Sequence, residues 1–165
     1  MDQLPWLDYT GQTTQELLAC GETHRVDSVV DAFDEAIGNK DPLATTIEER
    51  VVLAVEALER EVNNGGFHQF FTNSSCEYVP AIVDSLHAIG AAAAAELTAD
   101  AIAALRLDEL TADAVLDAVE TGIDEKDEAM LEALDLCDQR YYEEVGDLSQ
   151  ELFAFIRTHA AHIRI

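Results

Sequence analysis

Apolar residues in this chain return every three or four positions almost throughout, and no stretch alternates apolar with polar in the rhythm of a half-buried strand. That pattern removes sheet architectures, because a stripe with helical period laid out as a strand would point to both faces. The 165 residues therefore predict an all-α fold, a single compact domain (1–165) of about seven or eight helices with no sheet. An apolar content of 48% supplies the core and argues against disorder. A chain of this length buries roughly 70% of the surface it exposes when unfolded.

Local signals divide the chain. Residues 1–22 read as an extended start (Leu4 to Thr10) and a short helix opened by Thr13, three residues before Glu16 as in a capping box, and interrupted at Gly21. A helix from about Arg25 to Ile37 stops at Gly38-Asn39, and Asp41-Pro42 marks a turn. Thr46 with Glu49 opens another helix to about Val62, which ends at Asn63-Asn64-Gly65-Gly66. Both glycines are expected to supply torsions that a β-branched residue resists. A short helix carrying Phe67, Phe70 and Phe71 follows, then one from Pro80 to Ile89, and an alanine-rich one over Ala91 to Leu105 whose small side chains permit close packing. Three more are expected at Thr111 to Thr121, Asp124 to Val145 and Ser149 to Ile163.

Charge is the abnormal quantity. Thirty-four Asp and Glu stand against nine Lys and Arg, a net of −25. Direct binding to nucleic acid or anionic membrane is excluded as the default, since both need a basic footprint. The longest charge-free apolar run, Ala88 to Ala95, is far too short to span a bilayer, and the start Met1-Asp2-Gln3-Leu4-Pro5-Trp6 lacks the features of an export signal. A soluble, cytoplasmic protein is expected. Cys20, Cys76 and Cys137, widely spaced and odd in number, predict free, partly buried thiols.

The charge is also uneven. Positions 108–151 hold sixteen acidic and two basic residues, while the longer stretch 1–107 holds eighteen and five. At 100° per residue Asp113, Asp117, Glu120 and Asp124 fall on one arc opposite Val115, Leu116 and Val119. On the next helix Glu125, Glu128, Glu132 and Asp135 share an arc opposite Met130, Leu134, Cys137 and Tyr141. Together with Glu109 these form the candidate partner-binding surface; Asp27, Asp34, Glu59 and Glu96 are acids dispersed outside it. Such a stripe carries one charge about every 5–6 Å of helix axis, inside the roughly 8 Å screening length of physiological salt. Each DNA strand carries one about every 3.4 Å. Two acidic helices side by side would therefore approximate a phosphate backbone, whereas a halophile's acidity should spread evenly.

The stretch Asn64-Gly65-Gly66-Phe67-His68-Gln69-Phe70-Phe71-Thr72-Asn73-Ser74 resembles the signature of the bacterial DNA-mimic protein family of small acidic helical proteins. The likeness runs on through Ile82, Leu86, Ile89-Gly90-Ala91, Asp138-Gln139-Arg140-Tyr141-Tyr142, Leu148, Leu152, Phe155, Ile156 and His159, covering roughly residues 46 to 162. The resemblance implies an all-α domain that displays carboxylates in a DNA-like array and occupies the DNA-binding surface of a transcription regulator. The signature itself is Gly turn and Phe core, so it speaks to fold more than to function.

Catalytic patterns are weak. Asn64, His68, Gln69 and Asn73 could line a polar pocket, but loop capping accounts for them more simply. His159 shares an apolar face with Leu152, Phe155 and Ile156 and is expected in the core, bonded to Tyr141 or Tyr142. His159 and His162 have a spacing that could ligate metal with a nearby carboxylate, but no His-Glu-x-x-His pattern accompanies it, so no metal site and no cofactor are assigned. Asp124-Glu125-Lys126-Asp127-Glu128 lacks the layout of a helix-loop-helix calcium site.

The expected function is that of a non-enzymatic acidic DNA mimic. Its partner would be a basic DNA-binding protein, a transcription regulator or nucleoid protein, and a homodimer is compatible with it. The alternatives are an inhibitor or immunity protein for a basic toxin or nuclease, and a halophile-adapted helical protein with an unrelated small-molecule or metal-dependent activity. At a net charge of −25, repulsion among carboxylates should be relieved by salt. The melting temperature is expected to rise from about 0.05 to 0.5 M salt, a roughly threefold change in screening length; a flat response would mean the charges are well separated or internally paired.

Overall fold

The computed structural model describes residues 4–165, and Met1, Asp2 and Gln3 of the start lie outside the described residues. Eight α-helices and three short 3-10 segments account for the described secondary structure, with no strand among these residues. The helices are α1 (Thr14–Cys20), α2 (Val26–Gly38), α3 (Ile47–Thr72), α4 (Val79–Ala88), α5 (Ala92–Ala104), α6 (Ala112–Asp124), α7 (Glu128–Glu144) and α8 (Ser149–Thr158). None is long and apolar enough to cross a membrane. The three cysteines are free, Cys137 buried and Cys20 and Cys76 half-buried.

The chain packs as two compact units. One takes the chain up to Glu56 together with Leu148–Ile165. There α2 packs against α1 and α8, burying Leu17, Val29, Val30, Phe33, Ile37, Leu152 and Ile156. The Thr13–Glu16 capping box forms as expected, and so does that of Thr46 and Glu49, whose backbone and side chains exchange bonds of 2.9 and 3.1 Å. The C-terminal segment is tied down by Thr14 Oγ1, which donates to the Ile163 carbonyl at 2.8 Å. Glu49, fully buried, accepts from Lys40 Nζ at 2.6 and 2.7 Å and from the Arg164 backbone at 2.8 Å. Burial pushes its carboxyl up, but Lys40 and the two backbone donors together hold it below the usual range.

The other unit is Ala57–Asp147. Its centre is α5, which packs against α4 and α7; the buried alanines Ala94, Ala95 and Ala101 allow that approach. Phe67, Phe70 and Phe71 are fully buried, and Tyr141 of α7 meets Phe67 edge-on with centroids 5.7 Å apart.

The expected break after Val62 appears as a kink inside α3, with non-helical torsions at Gly65 and Gly66. The two glycines differ. Gly66 has φ +74, the left-handed region, whereas Gly65 at φ −162 is extended and open to any residue. A Cβ on Gly66 would overlap the Asp138 carboxylate, while one on Gly65 would meet the far end of Gln69. Asp138 of α7 accepts the Phe67 N–H at 2.7 Å, capping the restarted helix from across the unit. Two other boundaries move. Gly122 stays helical because it is buried where Met130 crosses, so that any Cβ would strike Met130. α6 therefore runs to Asp124, and α7 starts only at Glu128, with Asp127 as its side-chain N-cap. α8 ends at Thr158 and Ala160–His162 form a 3-10 turn.

Replacing Gly66 by alanine is expected to cost about 2 kcal/mol or more, combining left-handed strain with displacement of the Asp138 cap. Gly65→Ala should cost less, about 1 kcal/mol, the worth of the Gln69 hydrogen bond to Glu61 that its Cβ would disturb. Equal losses in urea denaturation would show that torsion does not separate the two positions.

Candidate partner-binding surface

All nine predicted acids lie in the Ala57–Asp147 unit, and all nine are exposed. Asp113, Asp117, Glu120 and Asp124 stand on α6, whose other side buries Val115, Val119 and Gly122. Because Gly122 does not break the helix, Asp124 keeps its place at the end of that stripe. On α7, Glu128, Glu132 and Asp135 face away from the buried Met130, Leu134, Cys137 and Tyr141. Glu125 does not join them. It is the C-cap of α6, because the chain reverses through Lys126 at φ +55 before α7 begins. Glu109 lies in the bend before Thr111, which caps α6. The two helices touch, although α7 packs mainly on α5. Glu143, also exposed, continues the α7 stripe one further step past Gln139; the same 100° arithmetic reaches it.

The unit has few cations, and neither Arg106 nor Arg140 pairs with a stripe acid. It holds twenty-one acidic and four basic residues, net −17, against −8 for the other unit. Arg106 pairs with Asp127. Arg140 bonds Glu144 at 2.9 Å and reaches Asp100 at 3.6 Å; beside it the Tyr142 hydroxyl donates to the Val62 carbonyl at 2.6 Å. Among the described residues, none of the nine acids takes part in an ion pair or side-chain hydrogen bond. Several acids of the other unit are engaged: Asp27 with Arg25, Glu48 with His162, Glu49 with Lys40. Of the dispersed acids, Glu59 also has a structural role, since it accepts the Tyr141 hydroxyl.

The signature segment serves a different carboxylate, Glu61, which is only 8% exposed. It accepts from Gln69 Nε2 at 2.7 Å, Asn73 Nδ2 at 2.8 Å and Ser75 Oγ at 3.0 Å. Burial raises its carboxyl, yet the three donors together keep it below the ordinary range. Asn64 donates to the Arg60 carbonyl at 2.7 Å, and His68 is half-buried. Asn64, Gln69 and Asn73 are thus committed to structure; only Asn64 caps backbone, as expected, whereas Gln69 and Asn73 hold a buried acid that nothing in the sequence sets apart from the other thirty-three. Asp138 behaves oppositely: burial pushes its carboxyl up, only partly offset by the Phe67 N–H.

A family model described as DMP19-like protein matches residues 44–159. The chain belongs to this family. The family is that of DNA mimic protein 19, and membership supports a DNA-mimic role in general terms. The match spans the signature segment, the α6 and α7 stripes and the whole of α8. No curated protein and no solved structure matches the chain.

In this DMP19-like chain His159 departs from expectation. It is half-buried, its ring lying on Phe155 at 4.4 Å between centroids. The tyrosine hydroxyls proposed as its partners go instead to Glu59 and Val62, because Tyr141 and Tyr142 belong to the helix that seals the kinked end of α3.

Glu49 and Glu61 are the buried carboxyls that contribute to the acid response. A carboxyl held below its unfolded value stabilises the fold fully above about pH 4.3 and loses that contribution as pH falls through the folded value. Glu61→Gln confronts three donors with an amide and should cost about 1–3 kcal/mol at pH 7, with a shallower loss of stability on acidification than the parent. Denaturation curves at neutral and acid pH test this; identical pH slopes would mean that Glu61 is not ionised in its network.

Proposed function

We propose that this protein is a non-enzymatic, cytoplasmic DNA mimic that uses the α6 and α7 stripes to occupy the DNA-binding face of a basic protein, a transcription regulator or nucleoid protein, and so blocks or regulates it. The observation that carries the reading is the distribution of partners among the carboxylates. Of the four cations of the Ala57–Asp147 unit, Arg106 and Arg140 sit on Asp100, Asp127 and Glu144, while the acids of both stripes are exposed and unpaired among the described residues. A line of charge spaced about 5–6 Å apart on a rigid helix acts collectively on a partner within the screening length. Family membership points the same way. Inhibition of a basic toxin or nuclease would use the same physics with a different partner.

Replacing Asp113, Asp117 and Glu120, or Glu128, Glu132 and Asp135, by their amides should leave the helical fold intact and relieve like-charge i, i+4 pairs by a few tenths of a kcal/mol each. Binding to a DNA-binding partner should weaken, and the wild-type protein should compete with that partner's DNA, with affinity falling steeply as salt rises. The control set is Glu22, Glu35, Glu96 and Glu151, exposed acids outside the stripes; Asp27 and Glu59 are unsuitable because each holds a structural partner. Equal weakening by the control set would make bulk acidity the better account.

A further inference from the structure

The fold adds a carboxylate to the two histidines that spacing alone left without a role. Glu48, in the first turn of α3, lies beside His159 and His162 at the end of the chain, and one ligand atom from each falls within 4.8 Å of the others. His162 Nδ1 is 3.0 Å from Glu48 Oε1. We propose that these three side chains form a binding site for a divalent transition-metal ion of the zinc type, which clamps the Ala160–His162 turn onto the start of α3.

The chemistry of the donors selects the ion. Two imidazole nitrogens and one carboxylate oxygen suit zinc, cobalt or nickel, whereas calcium and magnesium prefer oxygen alone. A tetrahedral zinc with bonds of about 2.0–2.1 Å sets its ligand atoms roughly 3.3 Å apart. The Glu48–His162 pair already has that separation, and closure of His159 by a side-chain adjustment completes the set, with water in the fourth position. The scaffold is fixed independently of the ion. Thr46 Oγ1 donates to the His162 carbonyl at 2.9 Å, Lys40 Nζ to the Arg164 carbonyl at 2.7 Å, and the Phe155 ring restrains the plane of His159. Neither ring nitrogen of His159 has a hydrogen-bond partner among the described residues, so it can present one to a metal without breaking an existing bond. The protein's net charge of −25 raises the local concentration of any cation. The site is separate from the acidic stripes and does not depend on the DNA-mimic reading.

The test uses the full chain without a polyhistidine tag, stripped with chelator and titrated with Zn²⁺ against a chromophoric chelator, and with Co²⁺ for its visible spectrum. One equivalent should bind, with a tetrahedral cobalt spectrum lacking thiolate charge transfer, and should persist in a variant with all three cysteines changed to serine. Loss of an outer-shell partner alone typically weakens a site at least about tenfold, so His159→Ala, His162→Ala and Glu48→Gln should each weaken binding by at least that factor. His87→Ala, an exposed histidine of the other unit, should change nothing. Zinc should raise the melting temperature of the parent and of His87→Ala but not of His159→Ala. His162 is exposed, so its variant is expected to keep its helical circular dichroism and to report on the ion alone. One-equivalent binding that disappears with the cysteines, or that survives in the His159→Ala/His162→Ala double variant, would overturn the proposal, as would an absence of any site above the background of surface carboxylates.

Discussion

A carboxylate that enters a folded interior must bring donors with it, because an unpaired buried charge costs several kcal/mol. With thirty-four acids and nine cations, this chain cannot meet that demand by ion pairing alone. It meets it twice in the interior, by different means. Glu49 takes a lysine and two backbone N–H groups. Glu61 takes an amide, a second amide and a hydroxyl, all neutral. The second solution leaves the negative charge of its unit undiminished, and it determines what the surrounding sequence must be: Gln69 is placed by the helix that restarts after the kink, and Asn73 and Ser75 by the 3-10 turn that follows it.

That kink is therefore more than a connection. Gly66 takes up a left-handed torsion and leaves room for Asp138, Asp138 caps the restarted helix through Phe67, and Phe67 meets Tyr141 edge-on one turn further along α7. Backbone geometry, a helix cap and an aromatic contact converge on the same few residues, so a change at Gly66 reaches the helix that carries the second acidic stripe. The family signature marks this structural knot. It identifies the fold for that reason and contains no acid of the proposed partner-binding surface.

What could be read from the sequence follows from how local each cause is. Helical period, both capping boxes, the Pro80 start and the break after Asn64 depend on neighbours within a turn, and each appears where expected. The acidic stripes on α6 and α7 were legible because exposure opposite an apolar face is also a one-helix property. Glu125 was misassigned because Gly122 keeps its helical torsions only through burial beside Met130, a contact made after the chain turns back. The Glu61 network depends on the kink that folds Gln69, Asn73 and Ser75 back onto it, and the Glu48, His159 and His162 cluster on residues more than a hundred positions apart, and no period or spacing signals either. His159 looked like a core residue because its apolar neighbours on α8 are real, but the helix ends before it and lets the ring turn toward Phe155.

Solubility asks for net charge and nothing about its arrangement. Alternating signs at i and i+4 would serve an exposed helix better, since each opposite pair adds a few tenths of a kcal/mol and each like pair removes as much. Yet α6 carries acids at 113, 117, 120 and 124 with no cation on the helix, and the first cation that follows, Lys126, lies beyond its end in the turn. Arg140 stands on α7 but pairs with Glu144 and Asp100, away from the Glu128, Glu132 and Asp135 stripe. The helices thus forgo a stabilisation that the chain's own arginines could have supplied. A continuous, unneutralised line of carboxylates is the arrangement a partner evolved to grip phosphates would recognise, and mimicry accounts for that forgone stability where a general demand for acidity does not.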